Sequence, residues 1–562
     1  MNKRITGLLA LLLAWTMIFG AAGCSAVHAP SETEAQTGEQ VTEPVTQTRC
    51  TELGTPLADV RVRQALAHAI DVDTIIEALF YGNAEKAVSF TIPDVDVQAY
   101  EYDPQKAKEL LAEAEWPSDY VLDVVYYHDD QQTADLLAVI GSYWEAVGVR
   151  ADFRKLEGDL TAQLWKTPEN GNSAVEWDLA YGAVAGLTES EFYDRFESTA
   201  TNNSHTPEIE GLDQLLEQAM VTQNYGPVQR ILAEQTSFLP LFHQNGFVYT
   251  SDHLDAGAAA FGNDQFAFEK DILNWTTDRE DRTLYTDGGP EAFFSDPTVN
   301  PGLYLYQELL FDRLIAADKN LNPGEGQLAE SYAVLEDGKT LEFLLRENLI
   351  WHDGEPLTVE DVKFTFELYM KCPGANAVLT EVLSALEGAE AYTDGTAEEC
   401  TGIAVEENKI TFRFETLPVD ALKVFSQWPV LPGHCLETVE PENLQQHDYW
   451  KSPVGSGPYK VSEVELGKYC ILERWEDYRK TGEGNIAYVR MNASGETNVD
   501  IAVLAARDLL DYAWGKATDD AAYIAQLEGM NVTEVKIPYT RCFYINQYPH
   551  EAHHDRYVEP TE

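Results

Sequence analysis

Apolar positions along this chain change period several times, and each change marks an element. Over Val60–Asp71, the residues Val62, Leu66, Ala69 and Ile70 recur at helical spacing, which predicts a helix with one apolar face. Asp103-Pro104 opens a second helix, because aspartate caps and proline suits the first turn, and it runs on through Leu110, Leu111 and Ala114. A β-rich run follows from Tyr120 to Tyr127, then a helix from about Gln131 to Val147, then an extended run from Val149 to Leu156. Strand, helix and strand in that order predict a parallel α/β layer.

A second pattern begins later. Thr340 to Arg346 alternates as a strand, and Trp351 to Leu357 reads as a turn. Thr358, with Asp361 three residues on, is close to a capping box ahead of the apolar run Val362, Phe364, Phe366 and Leu368. Lys409 to Phe414 reads as a strand, and Ser452 to Tyr459 as a glycine-rich turn entering another. No short internal repeat is present, so a solenoid is not expected.

At 562 residues the chain is too long for one core, so two to four packed units are expected. Its net charge is −57, from 95 acidic against 38 basic residues. Such a surface repels nucleic acid and anionic lipid headgroups, so neither is expected as a partner.

Lys3 and Arg4 precede an apolar run from Leu8 to Phe19 and then Ala21-Ala22-Gly23-Cys24. This is the layout of a secretory signal, and the run is short for a spanning helix. Small residues ending in cysteine resemble a lipobox, which implies removal of residues 1–23 and diacylation of Cys24; an ordinary signal with an incidental cysteine is the alternative. Residues 24–50 are polar with almost no large apolar side chain and are expected to be a disordered tether. With Cys24 lipidated, six cysteines remain, enough for up to three disulfides; none forms a CxxC pair.

Several segments together resemble the peptide- and nickel-binding receptors of ABC importers, the family 5 extracellular solute-binding proteins. They are Leu328–Tyr332 with Phe343–Arg346, Trp351–Asp361, and Pro453–Lys460 with Leu472-Glu473-Arg474 and Asp477-Tyr478. Val60–Asp71 and Tyr102-Asp103-Pro104 resemble the family's C-terminal lobe. The resemblance implies an α/β, two-lobed, periplasmic-binding-protein-like class II fold with three subdomains and an inter-lobe hinge. It assigns residues 51–240 to the C-terminal lobe and 241–330 with 452–548 to the main subdomain of the N-terminal lobe. Residues 331–451 fall to the second subdomain and 549–562 to a polar tail.

The order of these halves is reversed. In the family, a strand like Phe543–Asn546 leads directly into a helix like Val60–Asp71; here they stand at opposite ends, so the chain reads as a circular permutant. Thr48-Arg49-Cys50 and Thr540-Arg541-Cys542 repeat one tripeptide at the seam, and Thr276–Arg282 is a polar stretch suited to joining the former termini. The cut falls close to one inter-lobe crossover, which predicts a single remaining hinge connection near Pro240.

The resemblance places Phe293, Phe294, Trp428, Trp514 and Tyr544 near the cleft, although each also reads as ordinary core packing. Peptide binders of this family pair the ligand's ammonium with an aspartate in a segment like Ala185–Glu191, where this chain has Gly186. Glu189 or Glu191 can take that role, or face solvent. The expected function is capture of a short peptide and delivery to the permease subunits of an ABC importer, by a monomer without a cofactor and with no bond made or broken. Nickel-chelate and haem receptors are the alternatives within the family. His550-Glu551-Ala552-His553-His554 formally matches the zinc-protease HExxH, but it follows Pro549 among polar residues, which does not fit the buried helix that chemistry needs.

Overall fold

The computed structural model describes residues 49–91, 96–158, 160–165, 171–200, 202–257, 261–262, 264–288, 294–302, 304–480, 482, 484–493 and 498–549. Cys24, Phe293 and the HExxH segment lie outside them.

Aspartates start the helices of the first stretch. Asp59, Asp71, Asp103 and Asp130 each accept a backbone N–H at the head of Val60–His68, Val72–Leu79, Pro104–Glu113 and Gln131–Ala146. Each carboxylate satisfies a donor that the helix leaves open and complements the helix dipole. The strand–helix–strand reading holds: Val121–Tyr126 pairs in parallel with Arg150–Lys155 across the Gln131–Ala146 helix.

These strands belong to a six-stranded sheet in the order 84–86, 238–244, 539–545, 179–185, 121–126, 150–155. Its two faces follow the period of two. Phe543 and Ile545 enter one core with Leu66, Trp144 and Phe242, while Cys542 and Tyr544 enter another with Phe90, Trp177 and Tyr193. Pro240 sits inside this sheet opposite Cys542, where the register shifts between Arg541 and Cys542. A proline has no N–H to give the ladder, so an irregular register suits it.

A seven-stranded sheet forms the main part of the second lobe, in the order 459–465, 469–474, 488–493, 283–288, 512–515, 246–251, 530–535. A four-stranded sheet, ordered 329–334, 340–345, 409–413, 403–406, carries the second subdomain under the helix Val359–Lys371. The capping box at Thr358 and Asp361 is formed as read. The result is a mixed α/β chain of two lobes, one of them divided.

The single-hinge expectation is corrected. One connection runs from Phe238–Gln244 through Asn245 to Gly246–Ser251, and a second from Met530–Val535 to Tyr539–Ile545. Strand 539–545, expected in the N-terminal lobe, pairs instead within the six-stranded sheet, between 238–244 and 179–185. Two connections therefore join the lobes. They lie side by side: a Cβ at Gly246 would stand 3.3 Å from Ile537 Cδ1 and 3.4 Å from Val535 Cγ2.

The junction at 276–282 is also tighter than a linker. Thr276–Thr277 pairs with Leu254–Asp255, and Arg279 binds Asp511 at 2.8 Å and Asp508 at 2.6 Å. Asp511 is buried and needs that counter-ion. Of the cysteines that end the repeated tripeptide, Cys50 opens a 3-10 turn and Cys542 lies in a strand. No disulfide is formed by Cys372, Cys400, Cys435, Cys470 or Cys542, which are free thiols.

Candidate functional site

Two groups of ionisable side chains of opposite sign lie where the lobes meet. The first is acidic. Glu191, on the short helix Ser190–Tyr193, accepts from the backbone of Leu187 and from Thr188 N at 3.2 Å. Its other oxygen accepts from Asn376 Nδ2 at 2.9 Å, and Asn376 caps helix Ala377–Ser384 in the other lobe. This bond crosses the cleft. Burial raises the Glu191 pKa, partly offset by Asn376 and the two backbone donors.

Other carboxylates stand around it. Burial, with Glu381 and Glu191 nearby, pushes Asp194 up to about 8. Burial and Asp420 push Glu381 up to about 7. Asp264 rises to about 7 through burial, with Glu191 adding to it. The Tyr225 hydroxyl, on a ring 2% exposed, makes no hydrogen bond and feels Asp194, Asp420 and Glu381. Several half-buried carboxylates within electrostatic reach of one another favour a proton or a bound cation.

Gly186 explains where Glu191 goes. A Cβ at Gly186 would stand 3.0 Å from Glu191 Oε2 and 3.1 Å from Phe192 Cε2. The glutamate carboxylate therefore occupies the space that a side chain at 186 would need. Of the two candidates, half-buried Glu191 bonds across the interface to Asn376, whereas Glu189 accepts from the Thr91 hydroxyl within its own lobe.

The second group is cationic and lies at the hinge. Lys516 follows strand Tyr512–Gly515 and Arg541 lies in the crossover strand Tyr539–Ile545. The Tyr539 ring stands between them, 4.2 Å from Lys516 Nζ and 5.2 Å from the Arg541 guanidinium carbon. Gln244 ties the two positions together, accepting from Arg541 Nε at 2.9 Å and donating to the Lys516 carbonyl at 2.7 Å. Burial and then Arg541 push Lys516 down to about 7, and the same pair of causes takes His128 to about 4.

The aromatic positions separate. Trp514 is half-buried beside Lys516, whose Nζ lies 4.8 Å from its ring, so it joins the site. Tyr544 is 2% exposed and packs at 4.8 Å against Trp165, with Arg195 over both rings. Trp428 is corrected to a core residue: it is fully buried and its Nε1 donates to the Thr298 carbonyl at 3.4 Å. Phe294 is likewise a core residue, packed at 5.3 Å against Tyr306. Sequence reasoning missed Asp264, Asn376, Glu381 and Lys516, which come together only through the tertiary fold. Lys516 carried one signal, a lone cation directly after Trp514-Gly515 in a strongly acidic chain.

Away from the cleft, Asp353, His434 and Cys435 gather their ligand atoms within 4.8 Å of one another, with His434 Nε2 2.9 Å from Asp353. No described helix is long and apolar enough to cross a membrane.

Comparison with known proteins adds the lineage. A protein of Brucella ovis named as an ABC transporter peptide-binding protein is 30% identical over 196 residues, 34% of each chain. Heme-binding protein A of Haemophilus influenzae is 30% identical over 233 residues, covering 38% of this chain and 41% of that one. The chain thus spans well under half the length of these relatives. The solved oligopeptide-binding protein AppA of Bacillus subtilis with a nonapeptide aligns at 23% identity and TM-score 0.31, over 40% of this chain and 42% of that chain. The profile of the bacterial extracellular solute-binding proteins, family 5 Middle, matches residues 31–203 and 325–558. With more than half of its length matched, the chain belongs to the bacterial extracellular solute-binding proteins of family 5.

Proposed function

We propose that this protein is an extracytoplasmic receptor that closes over a short peptide between its lobes and delivers it to the permease subunits of an ABC importer. The observation that carries this reading is the half-buried Glu191 carboxylate over Gly186, in the segment whose counterpart in peptide receptors of this family holds the ligand's ammonium. Glu191 takes that role, supported by Asp194, Asp264 and Glu381. An ammonium brought here replaces protons on crowded carboxylates with a charge that satisfies them. Trp514 supplies an aromatic wall beside the site. No bond is made or broken; the importer supplies the energy.

The receptor is held at the membrane surface by a lipid on Cys24, with residues 25–50 as the spacer, and acts as a monomer. Its chain order is a circular permutation of the family's. Three observations support this: the family profile matches as two separate spans, the junction at 276–282 is folded in, and a Cβ on Gly54 would stand 2.9 Å from Pro549 Cβ. That contact brings the two ends of the old seam together.

Native mass spectrometry of the chain from Ser25, purified without denaturation, tests the function. A family of added masses matching short peptides is the expected result. A single added mass with a metal isotope pattern would replace the peptide by a chelate, and a bare, broadly charged ion series would remove the receptor reading.

A further inference from the structure

Most thiols of this chain are shut away from solvent. Cys400, Cys470 and Cys542 are buried, and Cys400 Sγ donates to the Glu387 carbonyl at 3.6 Å. Cys372 and Cys435 are half-buried. Among the described residues, Cys435 is the thiol that gathers with both a histidine and a carboxylate. Its Sγ, a ring nitrogen of His434 and a carboxylate oxygen of Asp353 all lie within 4.8 Å of one another.

The backbone under these three side chains is held from several directions. Asp353 sits in the turn Trp351–Gly354, which Gly354 N closes on the Trp351 carbonyl at 2.9 Å. Its neighbour His352 fastens that turn to the glycine-rich segment. His352 N donates to the Gly455 carbonyl at 2.9 Å, and Gly455 N donates to His352 Nδ1 at 3.1 Å. His434 and Cys435 lie on the short helix Gly433–Leu436. Asp361 ties the start of that helix to the start of Val359–Lys371, accepting from Gly433 N at 3.0 Å and from Thr358 N at 2.9 Å. Each of its two oxygens is used in this way, so Asp361 positions the cluster rather than joining it.

The chemistry of the three groups selects the ion. An aspartate, a thiolate and a neutral imidazole carry two negative charges, which one divalent cation cancels. Calcium and magnesium take oxygen ligands, whereas sulfur and imidazole nitrogen suit zinc, which can bind three protein groups and a water. His434 Nε2 and Asp353 Oδ2 stand 2.9 Å apart in a hydrogen bond. Two ligands of one zinc ion stand roughly 3–4 Å apart, so the ion takes the place of that proton with little movement, and Cys435 joins by about 1 Å of side-chain rotation. The His434 and Asp353 side chains are 33% and 35% exposed, which leaves a path for the ion.

We infer that Asp353, His434 and Cys435 bind a zinc ion, at a site away from the ligand cleft that clips the turn before helix Val359–Lys371 to the helix Gly433–Leu436. As the sulfur–zinc bond forms, the Cys435 thiol gives its proton to solvent, the imidazole keeps one proton, on Nδ1, and water fills the fourth position. His434 and Asp353 are 81 residues apart in the chain, so the ion cross-links distant segments and favours the folded state by mass action. The site does not depend on the peptide reading. Zinc held there adds its own mass whether or not a peptide is bound, which tells it apart from a metal chelate in the cleft.

The test takes the chain from Ser25, reduced and stripped of metal, and titrates it with Zn²⁺ by calorimetry and with Co²⁺ by absorption spectroscopy. One zinc per chain is expected, with a Kd of about 1 μM or below. Cobalt should show the sulfur-to-metal charge-transfer band that a thiolate ligand gives, and Cys435→Ser should abolish it. Cys435→Ser and His434→Ala should each weaken zinc binding by at least about a hundredfold, the upper end of the cost of losing even an outer partner. Both variants should melt cooperatively without metal, at the temperature of the metal-free parent, and zinc should raise the melting temperature of the parent alone. Absence of zinc binding by the parent, or cobalt bound without the band, overturns the site. So does zinc held undiminished by both variants, as it would be on His550, His553 and His554.

Discussion

Glu191 holds its carboxylate against the bare backbone of Gly186, so the two positions can be exchanged experimentally. Glu191→Ala is expected to weaken peptide binding by about tenfold or more, the loss of one charge-assisted contact, measured by isothermal titration calorimetry. Adding Gly186→Asp to that variant fills the vacated space with a carboxylate and should restore part of the affinity. Unaltered binding by the single variant would remove Glu191 from the site. Lys516 makes a prediction of a different kind. Its pKa falls from 10.5 to about 7, and the groups facing it are Arg541, Tyr539, His128, Trp514 and Gln265. Between those values the unfolded chain holds a proton that the folded chain has released. Folding stability referred to Lys516 must therefore rise with pH over that window, with the full penalty present below about 7. Denaturant melts at pH 7 and pH 9 should show a steeper rise for the unaltered protein than for Lys516→Met; parallel slopes would refute the assignment.

At the level of elements, the hinge consists of two short crossovers packed against each other at Gly246, Val535 and Ile537. Gly246→Val would push branched atoms into contacts already at van der Waals distance. A loss of about 1–3 kcal/mol in stability is expected, read by chemical denaturation, with no loss if the crossovers separate freely. The helices and strands themselves were largely legible beforehand. Val60–His68, Pro104–Glu113, Gln131–Ala146 and Val359–Lys371 all appear where periodicity and caps put them. Local signals suffice there, because a cap and an apolar stripe lie within one stretch of chain. Strand 539–545 was placed in the wrong lobe for the opposite reason. Both of its faces are buried, so its sequence does not say which sheet it joins.

At the level of the molecule, two crossovers join the lobes, and the proposed permutation severs neither. Reconnection of the old seam should therefore leave ligand affinity unchanged and act on stability alone. A chain that begins at Thr283, runs to Pro549, continues through a short linker into Gly54 and ends at Asp278 tests this. The same affinity with an equal or higher melting temperature is expected, since the seam is already in contact. A marked change in affinity would mean that the order of the halves governs closure. The candidate site was legible only in part: Glu191, Trp514 and the vacancy at Gly186 came from a local resemblance, whereas Trp428 and Phe294 proved to be core.

The sequence by itself determined the family, the α/β class and the helix boundaries. Each is written in residues close together in the chain: caps, periods and short motifs. Tertiary structure alone decided that two crossovers join the lobes, that Asn376 reaches Glu191, and that Lys516 and Arg541 lie on either side of the Tyr539 ring. Those facts depend on pairs of residues far apart in the chain, which no local period, cap or short motif records.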